Sequence, residues 1–460
     1  MKTFSIVTLG CKVNQYESQQ IRQLLEQFGL DQVETSDRPD LIVVNTCCVT
    51  HTASAKSRQY IRRAQKFSPE AVIVVCGCLP TVQTCLPTGN IGEINGLNKN
   101  TYIIKNHQDI AAELNRIVKG WSINSNLNRE TNIAFRPELP LLTSFKGHTR
   151  AFLKVQDGCD GYCSYCIVPK TRPLIQSKPL EKVLQEAKAL VEAGHREIVV
   201  TGVFLGAYGQ NTVRRKNWPS SQNDKLAELL DKLAQIPNLA RIRLSSLEPA
   251  DVSQRLLDTF CEHNNIMPHL HLSLQSGSDA ILKRMCRQYT VEEFRDKVEL
   301  VKSRLDRPAI TTDLIVGFPG ETDADFDRTV DLARDVGFAK MHVFSFSPRK
   351  GTVAASMQDT VDNKVIKKRA KILRDLDFEM SLNFRQQFIG ETATILLETC
   401  LTTVKNSNRR PCGRSDRYFM VYLETCLTSA VRKTQNIMKK NGLMRVKLVK
   451  NSENGVIGQP

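Results

Sequence analysis

A short loop holds three cysteines in the spacing C-x3-C-x2-C, at Cys159, Cys163 and Cys166. Gly158 and Gly161 allow the backbone to curl tightly enough for three thiolates to meet at one inorganic centre. Three ligands on a four-iron cube leave one iron uncovered, and S-adenosylmethionine (SAM) can chelate such an iron through its amino and carboxylate groups. An electron from the cluster then cleaves the sulfonium of SAM and releases a 5′-deoxyadenosyl radical. The spacing therefore predicts a cluster that starts radical chemistry.

Two simpler interpretations of this loop are a structural zinc site and three unrelated core cysteines. Zinc sites usually combine paired C-x2-C knuckles with a fourth cysteine or histidine ligand. The sequence contains no such pair of knuckles, and the next cysteine after the loop is Cys261. The spacing favours the cluster but leaves both alternatives open.

A second group of cysteines follows predicted strands in residues 1–120, where strands and helices alternate. The strands lie at 4–9, 41–44 and 72–75, and the cysteines that follow them are Cys11, Cys47 and Cys78. A βαβαβ order implies a parallel sheet with right-handed crossovers, and ligands bind at the carboxyl edge of such a sheet. We therefore expect a second three-thiolate cluster at this edge. Cys48, Cys76 and Cys85 compete for the same roles, and topology alone does not decide between them.

The rest of the chain divides into a linker at 121–147, six strand–helix units at 148–377, short strands at 378–450 and a tail at 451–460. The six strands are predicted near 151–156, 197–201, 240–245, 269–275, 308–316 and 340–346. Six units are too few for a closed eight-stranded barrel, so we expect an open (β/α)6 partial barrel with its site at the carboxyl ends of the strands. The short strands after 377 predict a small antiparallel β-barrel of the oligonucleotide-binding sort. The fold class is α/β.

Small and polar residues follow several of the central strands. They are Gly202, Ser246, Glu248, Gln275 and Gly317. Hydroxyl, amide and carboxylate side chains can hydrogen-bond ribose and a methionine amine, and glycines let backbone amides approach adenine closely. Tyr165, just before the last thiol of the loop, is a further candidate cofactor contact. Each residue alone is ordinary after a strand, so the prediction rests on their coincidence at one face of the barrel.

The charge and cysteine content of the 460 residues indicate the partner and the compartment. The net charge is +16, and residues 365–460 hold 18 Lys and Arg against 8 Asp and Glu, which favours nucleic acid as the partner. Fourteen cysteines favour metal binding under reducing conditions rather than disulfides. No apolar run approaches the roughly 20 residues of a membrane helix, and the first residues lack the apolar stretch of a signal peptide. We therefore expect a cytoplasmic protein that does not enter a membrane.

Together these motifs resemble those of the methylthiotransferases, a family of radical SAM enzymes. The resemblance rests on Gly-Cys-Lys-Val-Asn-Gln-Tyr-Glu-Ser at 10–18, Asn-Thr-Cys at 45–47, Gly-Cys at 77–78 and the three-cysteine loop. It implies a central radical SAM domain, a carboxy-terminal TRAM domain, two [4Fe-4S] clusters and SAM as cofactors. It also implies that Cys11, Cys47 and Cys78 hold the second cluster, which leaves Cys48 and Cys76 without an assigned role.

Within the family, Lys12 and Val13 resemble the branch that acts on N6-threonylcarbamoyladenosine at position 37 of tRNA. The implied reaction adds a methylthio group to C2 of the adenine, a carbon without a leaving group or useful acidity, so a radical is required. The resemblance implies that the Cys11 cluster carries the sulfur, which one SAM methylates, and that a second SAM yields the radical at the Cys159 cluster. The implied partners are the tRNA anticodon loop, a reductant and a sulfur donor.

Three other functions remain as alternatives. They are methylthiolation of isopentenyladenosine in tRNA, methylthiolation of a ribosomal-protein aspartate, and a non-catalytic iron–sulfur protein that binds RNA. The chain also departs from the family pattern at two places. The stretch at 171–178 is not the usual Gly- and Arg-rich segment, and Phe204 stands where a histidine is common. Neither departure removes a cluster ligand.

Overall fold

The computed structural model describes residues 1–80, 99–123, 138–218, 224–398, 411–424 and 442–460. Cys85, which competes for a place in the second cluster, lies outside the described residues, as do residues 124–137 of the predicted linker. Within the described part of the chain, no helix combines the length and the apolarity needed to cross a membrane.

The amino-terminal domain is a five-stranded parallel sheet in the order β2-β1-β3-β4-β5. Its strands are β1 (Thr3–Thr8), β2 (Asp31–Gln32), β3 (Leu41–Thr46), β4 (Val72–Gly77) and β5 (Thr101–Ile103). Its helices are α1 (Lys12–Gln27), α2 (His51–Phe67) and α3 (Ile110–Ile123). Every residue of β3 and β4 is buried because helices cover both faces of the sheet. The predicted parallel sheet is confirmed.

The central domain contains seven parallel strands in two sheets that continue one another, and the six predicted positions are recovered because β9 and β10 together occupy one of them. The first has the order β7-β6-β8-β9 and the second β10-β11-β12-β13. The strands are β6 (Ala151–Asp157), β7 (Gln176–Ser177), β8 (Glu197–Gly202), β9 (Arg241–Leu244), β10 (Ser246–Leu247), β11 (His269–Leu272), β12 (Ala309–Val316) and β13 (Lys340–Ser345). One residue separates β9 from β10, and only β7 runs antiparallel to its neighbour. The outer strands β7 and β13 do not pair with each other among the described residues, which confirms an open partial barrel.

Helices cover the outside of this partial barrel. They are α4 (Val168–Thr171), α5 (Leu180–Glu192), α6 (Lys225–Ala234), α7 (Gln254–Glu262), α8 (Asp279–Arg284), α9 (Val291–Arg304), α10 (Asp323–Val336) and α11 (Asn363–Gln386). Amphipathic spacing explains them, as in α6, where Leu226, Leu229, Leu230 and Leu233 form one buried stripe. The predicted boundary at 377/378 falls inside α11, which continues from the central domain to the last one.

The carboxy-terminal domain is a closed five-stranded barrel in the order β14-β15-β16-β18-β17. Its strands are β14 (Thr392–Glu398), β15 (Cys412–Ser415), β16 (Met420–Leu423), β17 (Leu443–Ser452) and β18 (Gly455–Gln459). The pairs are antiparallel except β16 with β18, which is parallel. Residues 451–460 differ from the predicted tail, since they hold the end of β17 and the strand β18. Their backbone groups close the barrel, because β18 bonds to both β16 and β17.

Extensive contacts join the three domains. Leu142 and Phe145, at the end of the predicted linker, are buried in the core of the central domain. The side chains of Gln20 and Gln23 on α1 donate hydrogen bonds to backbone carbonyls of this same segment. At the carboxyl end of α11, Phe384 on the helix and Phe388 just after it pack into the core of the barrel. These contacts fix the positions of the sheet edges that carry the cysteines.

Candidate active site

The loop cysteines lie directly after β6, at the carboxyl edge of the central sheet. Backbone hydrogen bonds shape the loop: Cys159 N donates to the carbonyl oxygen of Arg172 at 2.9 Å, and Cys166 N donates to that of Cys163 at 3.0 Å. A Cβ added to Gly158, whose φ is +82°, would lie 1.8 Å from the carbonyl oxygen of Leu174, so only glycine fits there. The predicted need for glycine at this turn therefore has a steric cause.

The three thiols of this loop share one site, in which Cys159 is buried and Cys163 and Cys166 are partly exposed. Burial raises the pKa of Cys159 to about 12 and that of Cys166 to about 12, and the nearby thiol of Cys163 adds to both shifts. Gly161 N donates to the Sγ of Cys159 at 3.3 Å, and Arg287 Nη1 lies 3.1 Å from the Sγ of Cys163. N–H donors of this kind are the usual neighbours of cluster thiolates. The donor set therefore fits an iron–sulfur cluster with one position left for a ligand that is not protein.

The second set of cysteines follows three adjacent strands of the amino-terminal sheet. Cys11 comes after β1, Cys47 directly after β3 and Cys78 directly after β4. Burial, together with the neighbouring thiols of Cys78 and Cys11, raises the pKa of Cys47 to about 11, so the three thiols are near one another. Cys11 is also the N-cap residue of α1, where the helix dipole stabilises a thiolate. Three thiols thus meet at the sheet edge, as the topology predicts.

Cys48 and Cys76 take different positions. Cys76 lies within β4 and packs in the apolar cluster between the sheet and helices α1 and α3. Cys48 donates its S–H to the carbonyl oxygen of Cys78 at 3.4 Å. A hydrogen bond from the Cys48 thiol also lowers the pKa of Cys78 well below that of an ordinary thiol, which favours the thiolate that a metal requires. This arrangement favours Cys11, Cys47 and Cys78 as ligands, with Cys48 beside them.

Asn14 connects the Cys11 loop to the Cys47 loop. Its Nδ2 donates to the carbonyl oxygens of Leu9 and Thr46, both at 2.8 Å. Asn45 donates in turn to the carbonyl oxygen of Asn14 at 3.0 Å. The asparagines of the segments at 10–18 and 45–47 are therefore positioning residues that hold two cysteine loops together.

A cavity of about 160 Å³ opens beside the three-cysteine loop. Four of the six candidate SAM contacts line it: Tyr165, Ser246, Glu248 and Gln275. Phe204, which replaces a common histidine, also lines the cavity, and the guanidinium of Arg215 lies over its ring at 5.6 Å. The strand ends thus bring most of the predicted cofactor contacts to one place.

The two candidate glycines have structural roles outside this lining. Gly202 ends β8, and an added Cβ would lie 3.0 Å from the Cβ of Gln156. Gly317 has a φ of +75°, and an added Cβ would lie 2.3 Å from Cγ1 of Ile366 on α11. Its N–H donates to Glu321 Oε2 at 2.8 Å. Gly317 therefore serves a tight turn under α11 and lies outside the lining of the cavity.

Two arginines that no sequence motif indicated surround Glu248. Arg287 Nη2 lies 2.7 Å from its Oε1, and Arg215 Nη2 lies 3.3 Å from its Oε2 and 2.6 Å from Asp251 Oδ1. Arg287 also contacts Tyr165 and is 7% exposed. The carboxylate predicted to contact SAM therefore has a cationic partner on each oxygen. Both arginines lie in connecting segments without a recognisable motif, so no sequence pattern indicates them.

A second, larger cavity of about 1020 Å³ lies between the central sheet and the carboxy-terminal barrel. Ser246 lines both cavities, and Lys12, the neighbour of Cys11, lines the larger one. The larger cavity is therefore adjacent to both cysteine sets. Its lining includes seven Lys and Arg and only three Asp and Glu: Lys12, Arg243, Lys340, Arg374, Arg385, Arg414, Arg417, Asp313, Asp377 and Glu453.

The unusual stretch at 171–178 joins the two domains that carry the cysteines. Arg172 donates to both carboxylate oxygens of Glu17 on α1 at 2.7 Å each, and to Asp157 Oδ1 at 2.9 Å. Burial would raise the pKa of Glu17, but the charges of Arg172 and Lys154 hold it well below its usual range. The stretch thus forms a buried ion network between α1 and the end of β6.

Comparison with known proteins supports the same organisation. Residues 153–333 match the Radical SAM superfamily, and residues 3–87 match the uncharacterized protein family UPF0004. The chain is 34% identical to the threonylcarbamoyladenosine tRNA methylthiotransferase MtaB of Bacillus subtilis (strain 168), over 98% of this chain and 94% of the relative. It is 35% identical to the protein of the same name from Chlamydia pneumoniae, over 99% of this chain and 98% of the relative.

A related enzyme with another substrate is also similar. The tRNA-2-methylthio-N(6)-dimethylallyladenosine synthase of Pelotomaculum thermopropionicum is 33% identical over 86% of this chain and 87% of its own length. Among solved structures, the radical S-adenosylmethionine methyltransferase TsrM from Kitasatospora setae, with cobalamin and a [4Fe-4S] cluster bound, superposes with a TM-score of 0.54. That match covers 77% of each chain at 14% identity, so it shows a shared fold.

Proposed function

Because this chain belongs to the methylthiotransferase family of radical SAM enzymes, we propose that it adds a methylthio group to C2 of N6-threonylcarbamoyladenosine at position 37 of tRNA. The two relatives named for this substrate match the chain over nearly its full length. The observation that carries the choice of substrate is the cationic lining of the larger cavity. A threonylcarbamoyl group bears a carboxylate, which such a wall stabilises, whereas a dimethylallyl group is wholly apolar.

Two [4Fe-4S] clusters and SAM supply the methylated sulfur and the radical that the unreactive C2–H position requires. The residues of the chain bind and orient these groups. Cys159, Cys163 and Cys166 would hold one cluster, and Cys11, Cys47 and Cys78 the other. Arg287 donates to the Sγ of Cys163 and stabilises its charge.

The polar contacts of SAM are proposed to come from the smaller cavity. Ser246 and Gln275 face it with a hydroxyl and an amide, and Gln275 is held in the left-handed region at φ +69°. Its N–H and C=O bond to the backbone of β12, at Asp313 and Ile315, which keeps this conformation rigid. Tyr165 and Glu248 belong to the same proposal, whereas Gly202 and Gly317 contribute through the backbone turns that they shape beside the cavity.

The substrate base is proposed to enter the larger cavity from the side of the carboxy-terminal barrel. A base in the anticodon loop is single-stranded enough to be turned out of its stack. The exposed side chains of Arg445 and Lys447 alternate with the buried Val446 and Leu448 along β17, so the barrel presents cations to solvent. A reductant and a sulfur donor are required as further partners. We place the reaction in the cytoplasm, where tRNA is found and where thiols stay reduced.

Nucleoside mass spectrometry of total tRNA tests this function. A host that lacks the activity is compared with the same host carrying this gene or its Cys47→Ala variant. We expect 2-methylthio-N6-threonylcarbamoyladenosine with the intact gene only. A methylthio product of dimethylallyladenosine instead would move the proposal to the other tRNA substrate. No new nucleoside, with the protein present and iron-loaded, would contradict the proposal.

A further inference from the structure

Three side chains on the wall of the larger cavity have no role in the reaction described above. They are His271 on β11, Asp313 on β12 and His342 on β13, three neighbouring parallel strands. The register pairs Asp313 with His342, and it pairs His271 with Thr311, two residues before Asp313. Residues two apart on a strand share a face, so the three side chains point to the same side of the sheet.

The donor atoms of these side chains converge. One nitrogen of each histidine and one oxygen of Asp313 lie within 4.8 Å of one another. Nε2 of His271 is 3.3 Å from Asp313 Oδ2, yet it is buried and makes no hydrogen bond. Nδ1 of His271 lies 3.0 Å from Thr311 Oγ1, and donation from Nδ1 to this hydroxyl leaves the lone pair on Nε2. The histidine is thus oriented as a metal ligand is.

The lining of the cavity is positive as a whole, but the carboxylate of Asp313 is not neutralised by it. Among the described residues, no lysine or arginine forms an ion pair with Asp313, so histidines are its near partners. The nearby cations have their own carboxylates: Arg243 pairs with Glu197, and Lys340 pairs with Asp377. Within the same described residues, the ring nitrogens of His342 make no hydrogen bond, so they are available to a ligand.

We propose that His271, Asp313 and His342 bind one divalent transition-metal ion. Two imidazoles and one carboxylate suit Zn²⁺, Fe²⁺ or Mn²⁺. Two ligand atoms that bind the same ion at about 2.1 Å lie at most about 4.2 Å apart, so small side-chain rotations complete the site. The remaining coordination positions face the cavity and would take water or an anionic oxygen of a bound molecule. The site does not depend on which base is the substrate.

Manganese binding to the iron-loaded protein tests the site, because Mn²⁺ prefers oxygen and nitrogen ligands and competes poorly for thiolates. The probe is the EPR signal of free aqueous Mn²⁺, which disappears when the ion is bound. We expect the holoprotein to take up one Mn²⁺ per chain. His342→Ala and Asp313→Asn should each weaken this uptake by roughly tenfold or more, since each removes a ligand. Their iron content and unfolding midpoint should match those of the unsubstituted protein.

His263→Ala is the matched control. His263 lies with Asp231 and Glu262 in another group of possible ligands, at the end of α7 and away from the cavity. We expect this variant to bind Mn²⁺ as the unsubstituted protein does. No uptake by the holoprotein, equal uptake by His342→Ala and Asp313→Asn, or loss of uptake in His263→Ala would each overturn the proposal.

Discussion

Arg287 is the side chain that connects the cluster loop to the proposed SAM cavity. It contacts the Sγ of Cys163, the hydroxyl groups of Tyr165 and Tyr289, and the carboxylate of Glu248. The guanidinium is almost fully buried, so its charge acts through a medium of low dielectric constant. The positive charge of Arg287 therefore stabilises both the thiolate of Cys163 and the carboxylate of Glu248.

Replacing Arg287 by leucine should damage both stability and chemistry. The change leaves buried Glu248 with one partner, and removing one partner of a buried ion pair costs about 3–5 kcal/mol. We expect a lower denaturant midpoint and a loss of 5′-deoxyadenosine formation from SAM. Arg284→Leu is the control, because Arg284 pairs with Asp359 near the surface, where an ion pair contributes at most about 1 kcal/mol. Equal effects of the two substitutions would contradict the role given to Arg287.

The sequence indicates the candidate ligands, but it does not indicate the residues that contact them. Cys11, Cys47 and Cys78 could be placed at one sheet edge because strand ends in a parallel sheet coincide. Arg215 and Arg287 could not be predicted to meet Glu248, because that contact depends on how separate loops pack in three dimensions. For Gly317 the sequence predicts a contact with the cofactor, because a glycine follows a strand there. In the structure this glycine leaves room for the side chain of Ile366 and does not line the cavity.

At the scale of elements, the contact between α1 and the stretch at 171–178 sets the relative position of the two cysteine sets. Glu17 lies on α1 six residues after Cys11, and Asp157 lies two residues before Cys159. Arg172 binds both carboxylates. A departure from the family pattern therefore lies where the two cluster-bearing domains are joined.

Arg172→Gln should reduce the free energy of unfolding by roughly 3–5 kcal/mol at neutral pH, because Glu17 keeps its charge in a buried site with fewer partners. The folded-state pKa of Glu17 is held below its unfolded value, so its stabilising effect is present above about pH 4.3 and is lost as pH falls through the folded pKa. The difference in the free energy of unfolding between Arg172→Gln and the unsubstituted protein should therefore become smaller as the pH falls. Denaturant unfolding as a function of pH measures it.

Arg116→Gln provides the comparison, because Arg116 pairs with Glu113 on an exposed face of the amino-terminal domain, which also carries Glu17. We expect a change within about 1 kcal/mol for this variant at every pH. If the free energies of unfolding of Arg172→Gln and the unsubstituted protein differ more in acid than at neutral pH, the charge of Glu17 does not stabilise the fold through Arg172.

The long periodic elements could be predicted, and so could a barrel of short strands within 378–450, but β18 could not. The six predicted central strands lie close to their predicted positions because each is an apolar run followed by an amphipathic helix. The strand β18 was interpreted as a tail because it is only five residues long and contains two glycines. Its place in the barrel comes from pairing with β16 and β17, which local sequence does not encode.

Across the whole molecule, the large cavity lies next to both cysteine sets, because its wall includes Lys12, the neighbour of Cys11, and Ser246, which also lines the cavity beside the three-cysteine loop. The barrel forms its other wall. The order of the domains could be predicted from motifs and periodicity. The cavity could not, since it arises where β11–β13, α11 and the barrel face one another. The positive lining and the cations of β17 are the features that tRNA would contact.

Binding of tRNA should weaken with salt. If about four phosphates are neutralised, the plot of log affinity against log salt should have a slope of order −3. Arg445→Ser combined with Lys447→Ser should make the slope less steep by roughly 1.4, at about 0.7 for each phosphate contact. Lys371→Ser is the control, since Lys371 is exposed on α11 and pairs with Asp375. Filter binding that shows no salt dependence would exclude this binding surface.

We propose that the two cysteine sets perform separate parts of one reaction. The most direct test measures 5′-deoxyadenosine and methylthiolated nucleoside in the same anaerobic reaction with SAM and tRNA that carries threonylcarbamoyladenosine. We predict both products from the unsubstituted enzyme, 5′-deoxyadenosine alone from Cys47→Ala, and neither from Cys163→Ala. Loss of 5′-deoxyadenosine in Cys47→Ala, or methylthiolated tRNA from either variant, would contradict the account.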